Sequence, residues 1–509
     1  MTVRVASASE TVACERATMK SGPSSSELMK RAGESAAAEI LSRFRADAES
    51  GVAIYTGPGN NGGDGWVVAG VLAQSGIKTT VVEIAKPNSD EANEARVVGL
   101  ASGAVIEKSA AAERLIIDAL LGTGSSGAPR GKIADAINCI AGQRADGAKV
   151  ISLDVPSGLD ATTGAREGAV AADLTISFGL MKRGALISRD CCGDIALLDI
   201  GLTAEDLMSE LPMLVDADWV SKSVPRIPVN AHKGTRGRLS IIGGGAGMAG
   251  AAILSGEGAL RSGIGLLRVV AAAANEIAIH AAVPAALFSS WPSTPDELSK
   301  LVESTDVMAI GPGLGRSQVT RELVERILLA WSGPVVLDAD ALSIFAGDLR
   351  SLAKLLKGRP AVITPHPAEM GRLVEKSTEK VLEGRFEIGI EVAKVLGAAV
   401  LLKGTPTVVF SPSGDRYVSA SGTAALATGG SGDVLTGIVA TLLVQTRYSG
   451  EAPSIAAACA AFIHGRAAEL CGNVRGTTLD DVLHTMPAAW NEAPRTPRDG
   501  VLAYLPIYR

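Results

Sequence analysis

The chain has 509 residues, a net charge of −6 at pH 7, 47% hydrophobic and 20% charged residues. Those fractions exclude a disordered chain, and at about 100–200 residues per domain the length implies two to four cores. The acidic balance argues against a nucleic-acid partner, and 3% aromatic residues leave little for base stacking, whereas 58 glycines imply many close backbone approaches.

The first 20 residues carry no apolar run followed by a cleavage site, so no signal peptide is expected. A helix opens near Ser24–Ser26, where SSELMKRAGESAAAEILSRF places apolar residues at helical spacing. Short apolar runs at 51–57, 78–84, 114–120, 149–155 and 173–179 then read as buried parallel strands, with helices such as WVVAGVLAQSG and IADAINCIAGQ between the earlier ones. The run 193–201 is expected to close this sheet. Residues 211–228 hold three prolines and no periodicity, which marks a linker. The alternation restarts with strands at 238–245, 265–271, 307–313, 334–340, 361–367 and 399–405, a hairpin at 407–421 and a long helix near Asp433. The fold class expected is α/β, with an open Rossmann-like sheet first and a second α/β domain after it. The boundaries expected are 1–213 for the first domain, 214–226 for the linker and 227–509 for the second domain. The six cysteines have no zinc-like spacing and read as reduced thiols of a soluble cytoplasmic protein. No stretch is apolar enough to span a membrane.

In the first half, a strand runs into GPGNNGGDG (57–65) and then a helix, so backbone N–H groups there can hold a phosphate. It is neither GxGxxG nor a P-loop, and a plain tight turn is the competing reading. Asp118 and Asp154 each end a strand, the latter followed by VPSGLD with Ser157. Singly, each is best read as a cap or turn residue. Together with Asn60, Asn61 and Asp64 they fall at strand carboxyl ends, where open sheets collect ligands, and their oxygens suit a hard cation.

GPGNNGGDGWVVA, DALLGTGSSG and LDVPSGLD resemble the NAD(P)HX epimerase family, a Rossmann-like domain. The resemblance implies that Asn60, Asn61, Gly62, Gly63, Asp64, Gly122, Thr123, Gly124, Ser125, Ser126, Gly127, Ala128 and Asp154 bind the hydrated dinucleotide. It also implies a potassium ion on Asn61, Asp118 and Ser157. Inverting the hydrated ring carbon requires breaking and remaking a C–O bond with proton transfer, and Asp154 is the candidate acid/base. In FGLMKRG (178–184) the family's usual proline before the lysine is missing, and Lys182 reads as a solvated surface lysine.

In the second half, GGGAG (243–247) and GPGLG (311–315) are generic strand-to-helix turns, and His366 lies between two prolines in TPHPAE. Lys403 ends a strand in LLKGTPT. ATGGSGDVLTG (427–437) sets Thr428, Gly429, Gly430 and Gly432 before a helix, with Asp433 in its first turn. An acidic residue at a helix start is favoured by the dipole alone. A glycine turn beside an Asp is also what phosphoryl transfer to a hydroxyl needs.

GGSGD resembles the ribokinase-like superfamily. With NAHKG, GPGLG, LDADAL, TPHPAE and KGTPT it resembles the ADP/ATP-dependent NAD(P)HX dehydratase family more narrowly. That resemblance implies that Ala251, Gly313, His366 and Asp433 face the hydrated dinucleotide. Lys403, Gly404, Thr405, Pro406, Thr407 and Gly432 would face ADP or ATP, with Mg²⁺ on the phosphates. Arg236 stands where the family commonly has an aromatic residue. The combined expectation is a bifunctional repair enzyme and homo-oligomer acting on hydrated NADH or NADPH. Asp433 and Asp154 are its catalytic residues, and neither nucleic acid nor membrane is a partner. The fused layout resembles prokaryotic members and favours ADP. The rival reading is a ribokinase-like small-molecule kinase fused to a non-catalytic nucleotide-binding module.

Overall fold

The computed structural model describes residues 2–111, 113–446, 453–492 and 498–508. The chain divides into two compact units. One holds the residues up to Met213 together with the C-terminal strand Val501–Leu505, and the other starts at Leu214 and includes the helix Leu479–Trp490.

The first unit is built on an eight-stranded sheet. Its parallel strands, in spatial order, are Val105–Ile106, Thr79–Glu83, Val52–Thr56, Leu115–Ala119, Lys149–Leu153, Leu174–Phe178 and Asp194–Leu198. Numbered along the chain this is 3-2-1-4-5-6-7, a doubly wound order whose switch point lies between Val52–Thr56 and Leu115–Ala119. All five residues of each of those two strands are buried, because helices cover both faces and leave no solvent side for alternation. Apolar cores accordingly fill both sides of the sheet.

Two expectations change here. Asp194–Leu198 does not close the sheet: Val501–Leu505 pairs outside it, antiparallel. The segment before Ser24 is ordered, with strand Val5–Ala6 and helix Ala8–Ser21 ahead of the expected helix Ser25–Ala48. Ser7 and Glu10 form a capping box at that earlier helix, and this S-x-x-E spacing is its sequence signal. Val5–Ala6 pairs in parallel with Met181–Lys182.

The second unit carries a ten-stranded sheet. Its parallel part runs Leu287–Ser290, Leu266–Ala271, Arg238–Ile242, Val307–Ile310, Val335–Leu337, Ala361–Ile363 and Ala399–Leu402. The expected hairpin, Thr407–Phe410 with Arg416–Ser419, continues it antiparallel. Leu287–Ser290 was hidden in a stretch with no strand signal and forms the far edge. The expected linker 214–226 is packed structure: Val215 donates to the Val418 carbonyl, and Trp219, on the helix Ala217–Ser223, stacks on Tyr417 at 5.5 Å. Among the described residues no helix is long and apolar enough to cross a membrane.

Candidate active sites

In the first unit, the helix Asn60–Gln74 begins at the carboxyl end of Val52–Thr56 with no side-chain cap at Gly59, so its first N–H groups are free for a ligand. A cavity of about 460 Å³ opens there, at the switch point, lined by Asn60, Asn61, Asp64, Gly122–Ser125 and Asp154. The turn and the helix approach backbone to backbone: a Cβ on Gly62 would overlap the Gly57 carbonyl, and one on Gly57 would overlap that of Leu120. Ser126 lines a shallower neighbouring pocket, and Gly127 and Ala128 are exposed.

Asp154 stands in a left-handed conformation, φ +65°, uncommon for a residue with a side chain. Its carboxylate accepts from the Thr123 N–H at 2.7 Å and hydroxyl at 2.6 Å, and pairs with the Lys182 ammonium at 2.7 Å. Burial alone would raise its pKa, but Lys182 and Thr123 outweigh burial and hold it below the ordinary value. Lys182 is therefore not the solvated lysine expected. It is 1% exposed, donates to the Phe178 carbonyl at 2.8 Å, and is set by the pairing of its strand with Val5–Ala6.

Asp118 is fully buried and accepts from the Ser152 hydroxyl, from both the N–H and the hydroxyl of Ser157, and from the Leu120 N–H. No cation pairs with it among the described residues, and burial raises its pKa despite those donors. Asn61 is 8% exposed with neither atom of its amide hydrogen-bonded. A carboxylate without a cation and an orphaned amide are a donor set that a potassium ion fits. Asp64 has no partner among the described residues; burial, then the charges of Asp154 and Glu15, push its pKa well up.

In the second unit the strand ends again supply the site. The turns after Arg238–Ile242 and Val307–Ile310 zip together, with Gly244 N–H donating to Pro312 and Gly245 N–H to Gly313 (2.6 Å). A Cβ on Gly313, φ +57°, would press on that of Ala251 at 3.0 Å, so these two expected residues do meet. Arg236 donates to the Gly263 carbonyl.

Asp338, at the end of Val335–Leu337, is the centre that the sequence reading missed. It is buried, pairs with Lys403 at 2.8 Å and accepts from Thr436 at 2.7 Å. Burial raises its pKa, but Lys403 and the hydroxyls of Thr436 and Thr364 outweigh it, and the net shift is down. Lys403 shifts up, because Asp338 and Glu369 outweigh its own burial. The lysine expected at an open strand end thus sits over buried carboxylates, while Gly404 and Thr405 beyond it are exposed. Gly432 lies beside Lys403: a Cβ there would stand 3.2 Å from its ammonium.

His366 caps the helix Pro367–Val374, its Nδ1 accepting from the N–H groups of Ala368 and Glu369. That assigns the proton to Nε2, 3.3 Å from Glu369 Oε1. Burial and Lys403 lower its pKa, so it is neutral at pH 7. Asp433 opens the helix Ser431–Thr446; burial, then Asp338, with Lys403 opposing, raise its pKa to about 7. A carboxylate poised there can accept a proton near neutrality.

Two α/β units, each with a glycine turn, a helix start and shifted carboxylates at its strand ends, define a two-site enzyme for nucleotide-like ligands. Residues 239–487 match the family model described as NAD(P)H-hydrate dehydratase, and residues 25–184 match that of the YjeF-related protein N-terminus. The bifunctional NAD(P)H-hydrate repair enzyme Nnr of Moorella thermoacetica is 35% identical over 479 residues, covering 88% of either chain. The protein of that name from Escherichia coli is 36% identical over 477 residues, covering 90% of this chain and 88% of its own. A crystal structure of the ADP/ATP-dependent NAD(P)H-hydrate dehydratase from Bacillus subtilis, co-crystallized with ATP/Mg²⁺, is 30% identical; the match covers 53% of this chain and 95% of that one, with a TM-score of 0.46. The chain belongs to the family of bifunctional NAD(P)H-hydrate repair enzymes.

Proposed function

We propose that the first unit interconverts the R and S epimers of hydrated NADH or NADPH, and that the second dehydrates the S epimer at the expense of ADP or ATP. Asp433 carries the second reading: a helix-start carboxylate with a pKa near 7, beside the Gly432 turn and Lys403. It accepts the proton of the ring hydroxyl as that oxygen takes up the terminal phosphoryl group. A hydroxyl leaves poorly and a phosphate leaves well, so departure of phosphate with the C–O electron pair, followed by loss of a proton from the adjacent ring carbon, restores the dihydronicotinamide. Ala251, Gly313 and His366 contact the dinucleotide, and Lys403 to Thr407 with Gly432 contact the nucleotide. Mg²⁺ travels with the nucleotide, because Asp338 and Asp340 already have their oxygens engaged by Lys403, Thr436, Arg316 and the Gly315 N–H.

In the first unit, Asn60 to Asp64, Gly122 to Ala128 and Asp154 hold the dinucleotide. Asn61, Asp118 and Ser157 would hold potassium, which would supply a fixed positive charge to the site. Free ADP is the favoured phosphoryl source, the cytoplasm the place of action and a homo-oligomer the working form. Product analysis tests the second-unit reading: hydrated NADH with ADP or ATP is expected to release free phosphate and regain the dihydronicotinamide absorbance. Accumulation of a stable phosphorylated dinucleotide would instead establish a kinase.

A further inference from the structure

One wall of the first unit's cavity comes from a helix outside every motif that identifies the family. Val12, Glu15 and Met19, on the helix Ala8–Ser21, line it together with Asp64 and Asp154. Three carboxylates therefore share this end of the cavity, with one ammonium, Lys182, paired to Asp154 behind it. Asp154 has taken that ammonium and both Thr123 donors. The carboxyl groups of Glu15 and Asp64 make no hydrogen bond or ion pair among the described residues. They approach from two different elements, the helices Ala8–Ser21 and Asn60–Gln74. Close by, the Asn61 amide is buried with both atoms unpartnered, so this end of the cavity is built for a polar ligand.

We propose that Glu15 and Asp64 are the proton-handling pair of the epimerisation, and that Asp154 is a positioning residue held ionised by Lys182. This deepens the epimerase reading above and rests on it. Asp64 gives its proton to the ring hydroxyl, and the C–O bond breaks with its electron pair leaving on water. The ring nitrogen's lone pair closes a C=N bond. Water then adds to the opposite face of that carbon, its oxygen forming the new C–O bond and its proton passing to the Glu15 carboxylate. Atoms and charge balance, and the reverse epimerisation exchanges the two roles. Burial, opposed by Lys182 and assisted by Asp154, raises the Glu15 pKa, and burial with Asp154 and Glu15 raises that of Asp64, Lys182 opposing. Both shifts favour the protonated form of a carboxyl, so the pair can hold the proton that the epimerisation gives and takes.

The test uses the full chain with a mixture of hydrated NADH epimers, ATP or ADP, and Mg²⁺. In the parent, the S epimer is consumed in a fast phase and the R epimer in a slower one, above the uncatalysed rate. Glu15→Gln is expected to slow the R phase on the order of 10²-fold, to leave the S phase at the parental rate, and to abolish the pH dependence of the R phase. Glu15→Asp, which keeps a carboxyl on the same helix, is expected to recover part of the R phase with a shifted pH profile. An R phase in Glu15→Gln with parental rate and profile overturns the proposal, and so does equal loss in the Gln and Asp variants. A parent that leaves the R epimer untouched overturns the epimerase reading itself.

Discussion

At the scale of single residues, the two candidate sites solve one electrostatic problem in the same way. Each pairs a carboxylate with a lysine, Asp154 with the buried Lys182 and the buried Asp338 with Lys403, and each leaves further carboxylates in the field of that pair without a cation of their own among the described residues. The paired groups stay ionised, and the others are pushed toward neutral pH. For Asp433 the consequence has a definite sign. Its pKa rises from 3.8 to about 7, so the fold favours its protonated form. The stability it contributes is fully present below its unfolded value and lost as pH rises through about 7, whereas the ionised form needed for catalysis is gained over the same range. Asp433→Asn is therefore expected to lose 10²- to 10⁴-fold in dehydration rate, on the order expected of a general base. Its melting temperature should move above the parent's as pH rises through about 7. A melting temperature that tracks the parent's at every pH would show that Asp433 is not under this strain.

Residue identity was legible in the sequence wherever a glycine turn ends a strand, and so Asn60, Asn61, Asp64 and Asp433 could be singled out. Lys182, Asp338 and Glu15 could not. Lys182 is buried because Val5–Ala6, at the far end of the unit's sequence, pairs beside it. Asp338 gains its meaning from Lys403 and Thr436, which arrive on other elements. Glu15 reads as one acid among many on a weakly amphipathic helix.

At the scale of elements, the glycine content is explained by backbone contact between helices as much as by ligand turns. The helix Ser431–Thr446, which presents Asp433, lies against the helix Ala249–Arg261, which presents Ala251. A Cβ on Gly437 would overlap the Ser255 carbonyl, and one on Gly258 would overlap that of Val434. Gly437→Ala must separate the two helices. It is expected to cost about 1–3 kcal/mol in denaturant unfolding and to lower dehydration disproportionately by displacing Asp433 from the turn. Unchanged stability and rate would mean that the contact does not position the site. The strands of both parallel sheets were legible because they are continuous apolar runs between helices. The edges were not: Val501–Leu505 is pinned by contacts that only the fold creates, with Tyr504 under the Arg43 guanidinium at 4.1 Å and its hydroxyl on Asp194. Leu287–Ser290 is short and half exposed, which removes the apolar signal a buried strand carries.

At the scale of the whole molecule, the two sheets share a doubly wound order, and each site sits outside strand carboxyl ends around a switch point. The acidic surface and scarce aromatics are consistent with ligands held by backbone N–H groups, short oxygen side chains and paired charges. The two chemistries belong on one chain because the second consumes a single epimer, so that the first decides how much of a mixed substrate can be recovered. The yield of the full chain on a mixture of both hydrated NADH epimers with excess ADP or ATP and Mg²⁺ tests this most directly. One equivalent of NADH and one of free phosphate per hydrated dinucleotide, from both epimers and faster than uncatalysed epimerisation, is the result expected. Recovery that stops at the S fraction, or waits on uncatalysed epimerisation, would contradict it.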